Sequence, residues 1–139
     1  MLLLIGRILW VAVVVGAGMG HITQTRAMAG YAESKKVPNA KLMVQVTGVF
    51  LIATSLMVAF GVFADLAFLV QAVYLVVVAV WMHDFWKAGD PQAAMAEQTQ
   101  FMKNISLAGA ALSLFVFYGL GGGAGIDFTI TDSLFELGL

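Results

Sequence analysis

Four long apolar segments determine what this chain can fold into. They cover residues 2–20, 42–62, 66–82 and 105–121, and each is close to the roughly 20 residues that an α-helix needs to cross about 30 Å of hydrocarbon. Only 11% of the 139 residues are charged, against about 25% in a typical soluble domain. The sequence therefore predicts an all-α fold, a transmembrane four-helix bundle that forms a single domain over residues 1–139.

Residue types that are absent or sparse exclude several kinds of function. The chain has no cysteine, so it has no disulfide, thiolate metal site or iron–sulfur cluster. We find no metal-ligand spacing and no cofactor motif, and we expect no metal site and no intrinsic cofactor. The net charge of −1 and the lack of a basic cluster argue against nucleic acid as a partner. These features disfavour a stand-alone enzyme and favour a non-catalytic or accessory subunit in the lipid bilayer.

The first and third connections between the spans carry helix signals. In the first, Met28 and Tyr31 lie three residues apart, which is typical of a short helix on the bilayer surface. Pro38 is expected in the first turn of the second span. In the third connection, Asp90 and Pro91 have the pattern of an N-cap and a first helical residue, and this helix should continue into the fourth span. We therefore expect short interfacial helices in both connections.

The positions of the basic residues predict the orientation. Six of the seven Lys and Arg residues lie in the first and third connections, namely Arg26, Lys35, Lys36, Lys41, Lys87 and Lys103. The second connection, residues 63–65, has none, and it is so short that the helices on either side should be antiparallel neighbours. By the positive-inside rule, the two basic connections face the cytoplasm. Both termini then lie on the outer side of the membrane.

Small residues repeat along one face of the first span. Ala12, Gly16 and Gly20 are spaced four apart, the pattern that lets membrane helices approach closely. We expect this face to pack inside the bundle, with dimerisation as the alternative. In the C-terminal tail, apolar residues alternate over residues 128–130, and a cap signal at residues 132–133 precedes further apolar residues. This pattern predicts a short extended piece and then a turn of helix.

Three polar residues share a depth near the outer face. Arg7 and Gln71 lie about five residues from that face, on the first and third spans, and Asp65 lies at the same surface. An arginine within a span costs roughly 2.5–3.5 kcal/mol at the bilayer centre and less near its edge, so it normally finds a partner in the bundle. An intramembrane polar group of Arg7, Gln71 and Asp65 is one interpretation. The other is that Arg7 extends to the outer headgroups.

Every span contributes polar or aromatic residues to the inner face. The candidate ligand-binding residues are His21, Gln45, Trp81, His83, Trp86 and Asn104. Imidazoles and amides beside tryptophans suit the polar head of a lipid-like molecule, because rings stack on aromatic walls and oxygens need hydrogen-bond partners. The alternative is that the tryptophans form an ordinary interfacial belt and that Asp84 pairs with Lys87, three residues on.

Helical geometry divides this group further. At about 100° per residue, His83 and Trp86 share a face, whereas Asp84 is turned away from His83. We therefore expect His83 to act with His21 and Gln45, and Asp84 to pair with Lys87.

Several features follow one another in a fixed order: Arg7 in the first span, a glycine-rich turn into His21, Tyr31, Val37-Pro38, HDFW at residues 83–86 and QFMKN at residues 100–104. In this order they resemble the DoxX family of small four-helix membrane proteins, and the likeness covers almost the whole chain. HDFW and QFMKN are its most specific parts. The tail GAGIDFTITD is similar to the glycine-rich ending of that family, but it lacks the proline and arginine often seen there.

The resemblance implies an association with redox physiology, because DoxX members occur as small subunits of a thiosulfate:quinone oxidoreductase and in membrane assemblies with oxidative-stress enzymes. It implies functional positions at Arg7, His21, His83, Asp84 and Asn104, without showing which of them are catalytic. We therefore expect a DoxX-like membrane subunit of a larger redox-linked assembly near the quinone pool. A purely structural or assembly subunit without a ligand is the alternative. A small-solute carrier is disfavoured because no proline interrupts a span.

Overall fold

The structure is a computed structural model that describes residues 2–122 and 129–137. Its helices are α1 (Leu2–Thr23), α2 (Thr25–Ser34), α3 (Ala40–Phe60), α4 (Ala64–Met82) and α5 (Pro91–Phe117), with a 3₁₀ turn at Phe85–Lys87 and a π-helical turn at Tyr118–Gly122. The described residues contain no strand. Four of the helices, α1, α3, α4 and α5, are long and apolar enough to cross a membrane. The predicted all-α fold with four spans is confirmed.

The first connection contains the predicted interfacial helix. Helix α2 buries Ala29 and Ala32 against the start of α3, and its other side is largely exposed. Helix α3 begins at Ala40 because Asn39 has a left-handed backbone with φ of 47°, a conformation that asparagine tolerates better than most residues. Pro38 therefore lies in the turn before the helix, and its predicted place in the first helical turn is wrong.

The third connection contains one 3₁₀ turn and ends at Asp90, the predicted N-cap of the next helix. The Asp90 side chain accepts hydrogen bonds from the backbone N–H groups of Gln92 and Ala93, at 3.0 and 2.9 Å. Pro91 is the first residue of α5, which runs unbroken for 27 residues. At 1.5 Å per residue this helix is about 40 Å long, more than the roughly 30 Å of hydrocarbon. Its first turns therefore lie on the same side of the bilayer as α2.

The helices form two close pairs, α1 with α3 and α4 with α5. Gly18 of α1 faces Gly48 of α3, so that a Cβ atom on either would lie 2.9 or 3.1 Å from the carbonyl oxygen of the other. The expectation that Ala12, Gly16 and Gly20 pack inside the bundle is wrong. A Cβ atom on Gly16 or Gly20 would meet no atom within 4 Å. Gly16 and Gly18 point about 200° apart on the helix, and it is the Gly18 side that meets α3.

Aromatic side chains join the two pairs in the core. The Trp10 ring of α1 contacts the Phe68 ring of α4 edge-on at 5.6 Å, and Phe68 contacts Tyr118 at 5.5 Å between centroids. All three side chains are buried. Such pairs contribute about 0.5–1.5 kcal/mol beyond the area they bury. They hold α1 against α4 near the end of the bundle that carries the start of α1, which we call the outer end after the orientation expected from the sequence.

The tail folds back over the outer helix ends. Its backbone N–H groups donate to oxygens there: Ile130 to Phe60 at 3.2 Å, Thr131 to Gly61 at 3.1 Å, Phe135 to the Asp65 carboxylate at 2.7 Å and Leu137 to Gly119 at 2.9 Å. The predicted turn of helix is wrong, since residues 129–137 contain none. Carbonyls left over at helix ends need donors, and the tail supplies them. Phe128, which belongs to the predicted extended piece, lies outside the described residues.

Candidate functional site

Arg7 is buried at the outer end of the bundle. Only 4% of the residue is exposed. Its Nη2 donates to the carbonyl oxygen of Ala59 in α3 at 3.0 Å, and Nη1 donates to the Thr129 hydroxyl in the tail at 3.4 Å. The guanidinium therefore lies inside the protein, against α3 and the tail.

Gln71 forms the centre of a separate hydrogen-bonded chain. The Trp10 indole N–H donates to Oε1 of Gln71 at 2.7 Å, and Nε2 of Gln71 donates to the Thr54 hydroxyl at 2.9 Å. Thr54 in turn donates to the Phe50 carbonyl oxygen at 2.9 Å. These hydrogen bonds join α1, α4 and α3 inside the bundle, and every member has a partner.

The three outer polar residues share a depth but not their partners. Arg7, Gln71 and Asp65 are all buried, yet the described hydrogen bonds of Gln71 go to Trp10 and Thr54. Asp65 accepts from the backbone N–H of Phe135. The predicted pairing of Arg7 with Gln71 is therefore not found among the described contacts. The α1 residue that hydrogen-bonds to Gln71 is instead Trp10, one turn from Arg7.

Charged side chains at the opposite end of the bundle, which we call the inner end, tie the end of α2 to the end of α4. Lys35 lies 2.5 Å from Oδ1 of Asp84, and Lys87 lies 3.0 Å from Oδ2. The predicted pair of Asp84 with Lys87 is confirmed. Sequence reasoning missed Lys35, which caps the C-terminus of α2, four residues after Tyr31.

Tyr31, His83 and Glu97 meet beside this ion pair. The Tyr31 hydroxyl lies 2.6 Å from the carbonyl oxygen of Met82 and 2.8 Å from Oε1 of Glu97. Nδ1 of His83 lies 2.8 Å from Oε2 of the same carboxylate. Burial, the hydrogen bond to Glu97 and the negative charges of Glu97 and Asp84 raise the pKa of Tyr31. Its hydroxyl therefore stays protonated at physiological pH.

Glu97 was also missed by the sequence reasoning. It lies seven residues after the Asp90 cap, in the part of α5 that extends beyond the expected fourth span. The sequence predicts that extension, and the extension is the one feature that could have indicated a role for Glu97. The first turns of α5 had to lie near the other inner-side residues, and Glu97 is the acidic residue they contain.

A cavity of about 380 Å³ opens between α1, α2, α3 and α4 at this end. Three of the candidate ligand-binding residues line it, His21, Trp81 and His83. Its remaining walls are mainly apolar and include Met28, Val37, Met43, Val44, Val77 and Val78, with the hydroxyls of Tyr31, Thr47 and Tyr74 among them. The cavity thus has two imidazoles and three hydroxyl-bearing side chains in a mainly apolar chamber.

His21 is held by α3 on one side of the cavity. Its Nδ1 lies 3.2 Å from the carbonyl oxygen of Val44 and 2.9 Å from the Thr47 hydroxyl. On the other side, the His83 ring stacks near the Tyr31 ring, with centroids 6.3 Å apart. The Trp81 indole N–H donates to the carbonyl oxygen of Lys35 at 3.1 Å, so α2 also fixes the aromatic wall.

The other three candidates lie away from the cavity. Gln45 is exposed on α3, turned about 100° from Val44, which does line the cavity. Trp86 packs against Phe101 with ring centroids 5.8 Å apart, and Asn104 is buried on α5. The expected grouping of His83 with Gln45 is therefore wrong.

The shared face predicted for His83 and Trp86 fails for a backbone reason. Helix α4 ends at Met82, and His83 has non-helical angles, φ of −114° and ψ of 47°. The helical spacing of 100° per residue does not continue past that point. His83 therefore turns toward the cavity, while Trp86 belongs to the 3₁₀ turn.

The comparisons with known proteins agree with this architecture in part of the chain. The family model named DoxX matches residues 2–84, which include α1 to α4, His21, Trp81 and His83. Glu97 and the motif QFMKN lie beyond the match. No significant match was found among curated proteins or among solved structures. Because the family model covers more than half of the chain, this protein belongs to the DoxX family.

Proposed function

We propose that this DoxX-family protein binds the headgroup of a quinone-type lipid in the inner cavity and acts as a subunit of a larger redox-linked assembly. The observation that carries the proposal is the cavity of about 380 Å³ that contains His21, Trp81 and His83. Small-molecule sites have volumes of about 300–1,000 Å³, mostly apolar walls and a few polar groups that orient the ligand. The cavity has each of these properties.

The shape of the cavity also suits an amphipathic ligand. His83, at the inner end, and Tyr74, within α4, both line it and are nine residues apart. At 1.5 Å per residue this separation corresponds to about 14 Å along the span. A ring can therefore lie beside His83 and Trp81 near the membrane surface, with its apolar tail directed along Val77 toward the bilayer.

Replacing His83 with alanine is expected to lower quinone-linked activity of the native assembly about tenfold, the effect of losing one or two well-placed hydrogen bonds. The assembly would be isolated from membranes under mild conditions, its subunits identified, and its turnover of a short-chain quinone measured at equal abundance of the variant and unaltered chains. Trp86→Phe is the matched control, because Trp86 lies three residues after His83 but outside the cavity.

Unchanged activity of His83→Ala at equal abundance would favour the second candidate function, a structural subunit without a ligand. One observation supports that role. The ion pairs of Lys35 with Asp84 and Glu97, together with the hydrogen bond of His83 to Glu97, join the end of α2, the end of α4 and α5 into one network. In a structural subunit, any defect of the variant would follow the loss of protein from the membrane.

We further propose that the protein lies in the bacterial inner membrane with both termini outside. The chain has no cysteine, so a single introduced thiol reports its own position. Ser34→Cys is expected to resist a membrane-impermeant thiol reagent in intact cells and to react after lysis, because Ser34 is exposed at the end of α2 in a basic connection. Asp132→Cys, exposed in the tail, should react in intact cells. The reverse pattern would overturn the orientation.

A further inference from the structure

The hydrogen bond between His83 and Glu97 fixes which ring nitrogen of His83 carries a proton. Nδ1 lies 2.8 Å from Oε2 of Glu97. An ionised carboxylate only accepts hydrogen bonds, so Nδ1 is the protonated nitrogen. In the neutral imidazole, Nε2 then holds a lone pair. Within the described part of the chain, this nitrogen has no hydrogen-bond partner.

His21 has the same tautomer for a different reason. Its Nδ1 lies 3.2 Å from the carbonyl oxygen of Val44, which again only accepts. The Thr47 hydroxyl, 2.9 Å away, donates its own proton to the carbonyl oxygen of Met43 at 2.8 Å. It therefore accepts from His21 as well. Nε2 of His21 is left as an acceptor, and none of the described residues donates to it.

The donors beside His83 are already committed to the protein. The Tyr31 hydroxyl has the Met82 carbonyl oxygen and Glu97 as acceptors, and the Trp81 indole N–H donates to Lys35. The Tyr74 hydroxyl lies beside the Thr47 side chain, about 14 Å along the span from His83. The polar groups that remain for a ligand are thus the two imidazole acceptors and, further along the span, the Tyr74 hydroxyl.

We propose that the cavity selects ligands that donate a hydrogen bond, so that it binds the hydroquinone form of a quinone-type lipid in preference to the quinone. This inference rests on the function proposed above. A hydroquinone has two hydroxyl groups that can donate to Nε2 of His21 or His83, whereas a quinone has only carbonyl oxygens, which would face those lone pairs without a proton between them. Glu97 acts as a positioning residue, because it sets the tautomer of His83 without touching the ligand.

The test measures binding of a short-chain benzoquinone and of its hydroquinone to the full chain in lipid nanodiscs. Equilibrium dialysis at pH 8 under argon keeps the hydroquinone reduced, and pH 8 is well above the ordinary imidazole pKa of about 6.5. Protein-free nanodiscs correct for partition into lipid. We expect the hydroquinone to bind about tenfold more tightly, as one or two additional hydrogen bonds would give.

The variant Glu97→Gln tests the positioning role. A glutamine amide can donate to Nδ1 of His83, which allows the proton to move to Nε2. We expect the preference for hydroquinone to fall toward equal binding, with the quinone bound more tightly than by the unaltered chain. A purely structural role of Glu97 would weaken both forms alike. Glu33→Gln is the matched control, since Glu33 is exposed on α2 and has no described side-chain hydrogen bond.

The outcomes separate the two proposals. Equal binding of both forms by the unaltered chain, or tighter binding of the quinone, would overturn the hydroquinone preference and leave the proposed ligand class in place. If neither form binds above the protein-free nanodiscs, the proposed function itself fails, and the preference fails with it. A preference that is the same in Glu97→Gln and Glu33→Gln would remove Glu97 from the explanation.

Discussion

Replacing Gly18 with leucine is expected to destabilise the bundle by about 3 kcal/mol, the upper part of the usual range for overpacking. A Cβ atom at this position would lie 2.8 Å from Cγ1 of Ile52 and 2.9 Å from the carbonyl oxygen of Gly48. A side chain can rotate away, but a backbone oxygen moves only with its helix. Helices α1 and α3 would therefore have to separate along their contact.

Gly16→Leu is the matched control for this prediction. Gly16 is two residues away on the same helix, and a Cβ atom there would meet nothing within 4 Å. Both substitutions remove a helical glycine and add the same apolar side chain, so they differ mainly in what that side chain meets. The measurement is unfolding of the purified protein in mixed micelles of increasing SDS content. Equal stability of the two variants would contradict the close approach of α1 and α3.

The contrast between Gly16 and Gly18 shows why the spans were predictable and their packing was not. A span is recognised from local properties, the length and hydropathy of a segment, and the Asp90–Pro91 cap is equally local. Which side of α1 meets a neighbour depends on the other helices. Ala12, Gly16 and Gly20 form the more regular repeat, but the glycine that faces a second glycine, Gly48, is Gly18. The sequence alone does not show that the face with Gly18, and not the face with Gly16, packs against α3.

The residues of the inner cavity were likewise predictable where they depend on local sequence properties, and not where they depend on packing between helices. His21, Trp81 and His83 were expected at one end of the bundle, and they line one cavity. The expectation failed where it extended helical geometry beyond Met82, because the backbone leaves the helix at His83. Glu97 comes from the far side of a connection, and its contact with His83 follows from tertiary structure alone.

Replacing Gln71 with alanine is expected to destabilise the protein by about 2–4 kcal/mol, from unpaired buried groups and from the space left behind. The side chain is fully buried and holds the Trp10 indole N–H at 2.7 Å and the Thr54 hydroxyl at 2.9 Å. No water is present in hydrocarbon to replace these bonds. Gln45→Ala is the control, because Gln45 is exposed on α3, and we expect a change within about 0.5 kcal/mol.

A double-mutant cycle with Trp10→Phe separates the hydrogen bond from the cavity. Phenylalanine keeps an aromatic ring against Phe68, whose centroid lies 5.6 Å from that of Trp10, but it has no N–H to leave unpaired. If the indole bond to Gln71 contributes, removing Gln71 should cost less in the Trp10→Phe background, by about 0.6 kcal/mol and at most about 1.7 kcal/mol, the average and the maximum for hydrogen bonds between membrane helices. Additive costs would mean that Gln71 stabilises the bundle by filling space and not by joining α1 to α4.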